Sequence, residues 1–148
     1  MVDMTKRAFK GRHSGLTLIE LMVVIAVLAI LTAIGYPMYT EQVQKARRTD
    51  ARNALSMIAL AQERFYTVNG TYADALDKLE LPADLQAGAS MEGHYDISIV
   101  LPDNNLAFLI SATPAAGSGQ SKDEDCTELR LDQTGLQFAN GADTDNCW

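Results

Sequence analysis

Residues 21–38 are eighteen consecutive positions without a charged side chain, rich in Val, Ile, Leu and Ala. A run of that length is just enough to cross the hydrocarbon core of a bilayer as a helix. A helix is required there because it satisfies its own backbone polar groups where no water can. The segment therefore predicts a membrane-spanning helix close to the N-terminus. Before it stand Lys6, Arg7, Lys10 and Arg12 against Asp3 alone, a local balance of +3. Short basic flanks stay on the cytoplasmic side, so the chain that follows the run is expected to be exported.

At 148 residues the chain is sized for one domain. Its 12 basic and 19 acidic residues become 8 and 18 once residues 1–15 are set aside, a balance of −10. That acidity argues against a nucleic-acid-binding body, and no nucleic-acid partner is expected, although a local basic patch remains compatible with it. The only cysteines, Cys126 and Cys147, fall near the far end of the exported part, where an oxidising compartment would let them pair. Closing the twenty intervening residues into a loop would stabilise the fold by roughly 3 kcal/mol in the chain-entropy account.

The sequence Gly15-Leu16-Thr17-Leu18-Ile19-Glu20-Leu21-Met22-Val23-Val24-Ile25 places a carboxylate inside what is otherwise a hydrophobic helix. A charge at the centre of a membrane helix costs on the order of 2.5–3.5 kcal/mol, and less near an end, so such residues usually have a partner. Glu20 can be read as an interfacial acid beside the basic flank or as an acid awaiting a cation. A secretory signal would also have a basic start and an apolar stretch, with Ala33-Ile34-Gly35 as its small-residue cleavage site. Against it stand Glu20, which interrupts the apolar stretch, and a run longer than the 7–15 residues typical of such signals.

With its basic leader, the run from Gly15 to Val23 resembles the prepilin signature of type IV pilins and related pseudopilins. The resemblance implies cleavage by prepilin peptidase between Gly15 and Leu16, and N-methylation of Leu16. Many members carry phenylalanine at that position, where this chain has leucine. Cleavage would remove leader charges that cannot enter a hydrophobic bundle, and it would create an α-amino group with a reference pKa near 7.7–8.0. The resemblance further implies that Glu20 meets the N-terminal amine of a neighbouring subunit during assembly. An ion pair in apolar surroundings can enforce register, because leaving either charge alone there is costly.

Residues 40–66 contain neither Gly nor Pro and are rich in helix formers, which predicts that the helix continues beyond the membrane run. Ala51, Ala54, Leu55, Ile58, Gln62 and Phe65 share one arc, and Arg48, Arg52, Ser56 and Glu63 another. Lys45, Arg47, Arg48 and Arg52 read equally as a solvated juxtamembrane face or as subunit contacts. Gly35-Tyr36-Pro37 predicts a kink or local unwinding, because Pro37 cannot donate to the carbonyl of Ala33. A proline here is also common in the pilin family, where it is associated with melting of the helix and an extensible fibre. Asn69 and Gly70 supply stop chemistry for the helix.

A loop is expected from there to about residue 93, with a helical or turn-like piece over residues 73–79 and a break at Pro82. Tyr95, Ile97, Ile99 and Leu101 alternate with His94, Asp96 and Ser98, the period of a half-buried strand. Pro102-Asp103-Asn104-Asn105 reads as the turn of a hairpin whose partner is residues 106–112, ended by Pro114. Residues 128–132 and 136–138 predict a third and a short fourth strand around the turn Gln133-Thr134-Gly135. So small a sheet needs the face with Leu55, Ile58 and Phe65 as its cover.

Thr113-Pro114, Gly119-Gln120, Asp125-Cys126, Leu129-Arg130-Leu131-Asp132, Gly135 and Cys147-Trp148 resemble the ending of PilE-like minor pilins. That likeness implies that Cys126 and Cys147 close the terminal loop called the D-region. The expected fold class is α+β: a pilin fold in which a long N-terminal helix packs on a small antiparallel sheet, with a disulfide-closed C-terminal loop. The expected division is a cleaved basic leader over residues 1–15, a membrane or filament-core half of the helix over 16–39, and a periplasmic head over 40–148.

No catalytic constellation is recognisable. His94 is the only histidine after the leader and reads as a strand-end polar residue, and no motif identifies Ser or Thr partners for it. Asp143-Thr144-Asp145-Asn146 lacks the length and distal glutamate of a calcium loop and reads as a solvated turn. Asp123-Glu124-Asp125 reads as an exposed acidic loop, and Gly117-Ser118-Gly119 as a linker. Neither metal nor cofactor is expected.

The resemblance implies a structural subunit, a minor pilin, held in the inner membrane until it enters an extracellular pilus. Its partners would be prepilin peptidase, other pilins and the assembly machinery, with twitching motility and adhesion downstream. A type II secretion pseudopilin and a membrane-anchored periplasmic ligand-binding module are the alternatives.

Overall fold

A computed structural model describes residues 17–102 and 105–148. Its dominant element is α1, Leu18–Asn69, 52 residues long. The chain divides into two units at Pro37: Met1–Pro37 and Met38–Trp148.

In the first unit the described residues from 18 onward are helical, and all are exposed. Thr17 caps the helix by accepting a hydrogen bond from the amide of Glu20 on its Oγ1 at 3.3 Å. The hydroxyl of Thr32 donates to the carbonyl of Leu28 at 2.8 Å, so a polar side chain in the apolar run is satisfied within the helix. Helical structure continues through Gly35 and Pro37, and the local unwinding suggested for this segment is not seen.

In the second unit, Ala51, Ala54, Leu55, Ile58 and Ala61 of α1 are buried at the three- and four-residue spacing of one helix face. Three alanines in that face let the helix lie close to what it covers. A positive φ at Gly70, whose amide donates to the carbonyl of Tyr66 at 2.8 Å, ends the helix. Beyond it come a 3-10 turn, Leu76–Lys78, and a one-turn helix, α2, Ala83–Gln86, that the sequence did not suggest.

Four strands follow: β1, Tyr95–Val100; β2, Leu109–Pro114; β3, Glu128–Asp132; and β4, Gln137–Asn140. They form one antiparallel sheet in sequence order. The register aligns Ile97 with Ala112 and Leu129, and Ile99 with Ile110 and Leu131. These rows join the buried face of α1, Leu79, Leu85 and Phe108 in a single core.

Two strands depart from expectation. β2 begins at Leu109 rather than at residue 106, because Asn105 takes φ +66° and Leu106 is 57% exposed. The carbonyl of Asn105 is instead engaged by the amide of Tyr72 at 2.8 Å. β4 runs to Asn140, whose carbonyl accepts from the amide of Thr127 at 2.7 Å. The turn between β3 and β4 is as expected: Asp132 Oδ1 accepts from the Thr134 amide and hydroxyl and from the Leu136 amide, at 2.7–2.9 Å. The Thr134 hydroxyl, above all, holds the Asp132 carboxyl below the usual carboxylate range.

Candidate functional site

Among the described residues, two features stand out: the exposed apolar half of α1 and the disulfide-closed loop of the head. Glu20 lies in the first turn of α1, exposed beside equally exposed Leu18, Ile19 and Leu21. A carboxylate there also complements the positive end of the helix dipole. Gly15 and Leu16, the expected cleavage and methylation positions, lie outside the described residues, as does the basic leader. Gly35 and Pro37 sit inside the helix.

Cys126 and Cys147 are joined in a disulfide, their Cα atoms 5.6 Å apart, and both are fully buried. The loop they close is seated by arginines of α1. Arg48 donates from Nε and Nη2 to the two carboxylate oxygens of Asp123, at 2.8 and 2.7 Å, and from Nη1 to the carbonyl of Asn146 at 3.2 Å. Arg52 Nε donates to the carbonyl of Cys147 at 3.1 Å. Gln120 Nε2 donates to Asp123 Oδ2 at 2.6 Å.

This geometry corrects two readings of the sequence. Arg48 and Asp123, expected on a solvated or subunit-facing helix surface and in an exposed acidic loop, have side chains only 1% exposed because each neutralises the other. Asp125, 41% exposed, adds a longer ion pair to Arg48 at 3.6 Å. The hydrogen bond to Asp123 raises the Arg48 guanidinium above its ordinary value, with burial opposing. Likewise, the expected linker at Gly117-Ser118-Gly119 leads into a 3-10 turn, Gly119–Lys122, that buries Gln120 against α1.

Two further polar anchors tie α1 to segments that follow it. Gln62 was legible only as a member of the packing arc, and Asp50 had no sequence signal, because their partners are set by the fold. Asp50 accepts from the hydroxyl of Ser90 at 2.6 Å and from the amide of Glu92 at 3.2 Å, while Ser90 Oγ accepts from the amide of Tyr95 at 2.9 Å. Gln62 exchanges two 2.8 Å hydrogen bonds with the backbone of Ala73.

His94 precedes β1, its Nε2 3.6 Å from a carboxylate oxygen of Glu92. Asp143 accepts from the Asn146 amide group at 2.7 Å beside the 3-10 turn Thr144–Asn146. Among the described residues no three His, Cys, Asp or Glu side chains converge as a metal site. On the sheet face opposite the core, the Arg130 guanidinium lies 5.8 Å from the centre of the Phe138 ring, its partner in the β3–β4 register.

A long helix that is apolar and uncovered at its start and amphipathic later, over a four-stranded antiparallel sheet with a disulfide-closed terminal loop, defines the class of type IV pilins. The chain belongs to the type IV minor pilin family: residues 37–130 match the family described as "Type IV minor pilin ComP, DNA uptake sequence receptor". Residues 10–36 match the prokaryotic N-terminal methylation motif.

Over 107 residues the chain is 33% identical to the fimbrial protein EcpC of Eikenella corrodens, covering 70% of this chain and 64% of EcpC. It is also similar to the type IV major pilin PilA of Myxococcus xanthus, 32% identical over 71 residues, which is 48% of this chain and 32% of PilA. The chain thus spans one third to just under two thirds of the length of these curated relatives. A solved type IV pilin from Shewanella oneidensis superimposes with a TM-score of 0.50 at 26% identity, covering 71% of this chain and 97% of that one.

Proposed function

We propose that this protein is a structural subunit of a type IV pilus that waits in the inner membrane, with its head in the periplasm, until it is drawn into the filament. The observation that carries the reading is α1 itself: an 18-residue window of it is apolar enough to span a bilayer, and none of that window is buried within the chain. So much exposed apolar surface needs lipid or other subunits around it. The proposed division is a leader over residues 1–15, the anchor over 16–39 and the head over 40–148.

In this reading prepilin peptidase cuts between Gly15 and Leu16, the Leu16 amine is methylated, and Glu20 pairs with that amine of a neighbouring subunit. Gly35 and Pro37 supply a place for the helix to yield in the fibre. Twitching motility and adhesion are the proposed downstream biology. The match of the head to a minor pilin family favours the pilus over a secretion pseudopilus or a ligand-binding module, and it favours a structural rather than an enzymatic role.

The test has two parts. The intact mass of the mature protein should correspond to a methylated chain beginning at Leu16 with one disulfide, and a start at Tyr36 would overturn the anchor. Glu20→Ala should leave the chain cleaved and membrane-inserted but impair its incorporation into filaments, and normal incorporation would remove the assembly role of Glu20.

The family's description favours a second reading, reception of DNA, despite the balance of −10 over residues 16–148. Arg130, with Glu128 3.5 Å from its Nε, lies beside the partly exposed ring of Phe138 on the outward sheet face and offers a cation to a backbone phosphate. Duplex DNA binding by the full chain in detergent should weaken with salt and with Arg130→Ala; absence of binding at low salt would remove this reading.

A further inference from the structure

One guanidinium touches residues that flank both cysteines. Arg48 holds Asp123, three residues before Cys126, through Nε and Nη2, and the carbonyl of Asn146, the residue before Cys147, through Nη1. Asp123 Oδ1 also accepts from the amide of Cys126 at 3.3 Å, and Arg52 holds the carbonyl of Cys147. The two cysteines are 21 residues apart in sequence. Besides the sulfur–sulfur bond, the amides of Thr127, Ala142 and Asp143 join the limbs by donating to the carbonyls of Asn140, Glu124 and Asp125 at 2.7, 2.9 and 3.2 Å, but none of these bonds reaches α1.

We infer that Arg48 is a positioning residue for the Cys126–Cys147 cross-link: it seats both limbs of the terminal loop on α1 whether or not the sulfurs are joined, and so raises the effective concentration of one thiol at the other. The physical ground is that one guanidinium makes several charge-assisted bonds at once. If the reduced loop swung away, the bidentate bonds to Asp123 and the bond to the Asn146 carbonyl would be lost together. The planar fork of the guanidinium also fixes direction as well as distance, which an ammonium cannot do. A contact that holds two thiols together replaces part of the loop-closure entropy that the bond would otherwise have to overcome.

The step uses a disulfide oxidant. One cysteine thiolate attacks a sulfur of glutathione disulfide and expels glutathione thiolate. The second cysteine thiolate then attacks the protein sulfur of the mixed disulfide and expels another. Two cysteine thiols are oxidised, one glutathione disulfide is reduced, and the two protons end on two glutathione molecules.

The test equilibrates the full chain in detergent micelles with glutathione buffers, traps free thiols by alkylation and counts them by intact mass. The pair Arg48→Met with Asp123→Leu removes both charges while keeping apolar volume, and Arg48→Lys keeps the charge but loses the fork. Each should lower the effective concentration of the two thiols at least tenfold, whereas Leu85→Ala, a buried truncation on α2, should leave it within about twofold. A wild-type value in the folded Arg48→Met/Asp123→Leu chain would overturn the inference.

Should that chain not fold, Cys126→Ser with Cys147→Ser tests the same claim with Arg48 intact. The backbone amide at position 126 should remain protected from hydrogen exchange, and loss of that protection would equally overturn the inference.

Discussion

Arg48 and Asp123 lie 75 residues apart in sequence and meet in a bidentate pair of 2.8 and 2.7 Å with both side chains 1% exposed. The pair ties α1 to the segment that enters the disulfide loop. Because both charges are out of water, its value lies less in net stability than in allowing one seating of that loop: any other arrangement strands a charge.

Removing one partner should therefore be far more damaging than removing both. Arg48→Met or Asp123→Leu alone is expected to lower stability by about 3–5 kcal/mol, whereas the two together should cost much less than the sum of the single changes. Denaturant unfolding of the four chains measures the coupling. Additive losses would show that the pair is not a unit.

Gly141 has φ +146°, and a Cβ there would collide with the carbonyl of Asp125. Gly141→Ala is expected to destabilise the head by about 3 kcal/mol, combining backbone strain with overpacking. Gly135→Ala, with φ +79° but open space around it, should cost less. Thermal melts of the two variants would rank them.

Gln62 is fully buried and pairs with both the amide and the carbonyl of Ala73. Gln62→Leu would leave both backbone groups unmatched, each costing about 1–3 kcal/mol. Hydrogen exchange at Ala73 should accelerate in the variant; unchanged protection would mean that another group replaces the glutamine.

Burial pushes the Tyr95 hydroxyl up to about 12 from 10.0, with the charge of Asp123 acting in the same direction. The folded state thus retains this proton more tightly than the unfolded chain. The corresponding stability is complete below pH 10 and disappears as pH rises through about 12. Tyr95→Phe should flatten the loss of stability over that window, as read from melting temperature against pH. An unchanged slope would assign the alkaline sensitivity elsewhere, with Tyr72, also raised to about 12 by burial and then by Glu63, the next to test.

What the sequence determined by itself was whatever is written in local order. The uncharged run fixed the apolar half of α1, three- and four-residue spacing fixed the buried face around Ala54, Leu55 and Ile58, period-two alternation located β1, and the Gln133-Thr134-Gly135 turn separated β3 from β4. Two cysteines left one pairing. The tertiary structure alone decided the fate of the charged residues and the strand ends. Whether Arg48 faces water depends on Asp123 arriving from the far end of the chain, and where β2 starts depends on Asn105 answering to Tyr72. Periodicity reports which face of an element is apolar, but a buried charge or a redirected carbonyl is stable only through its partner, and the partner's position exists only once the chain has folded.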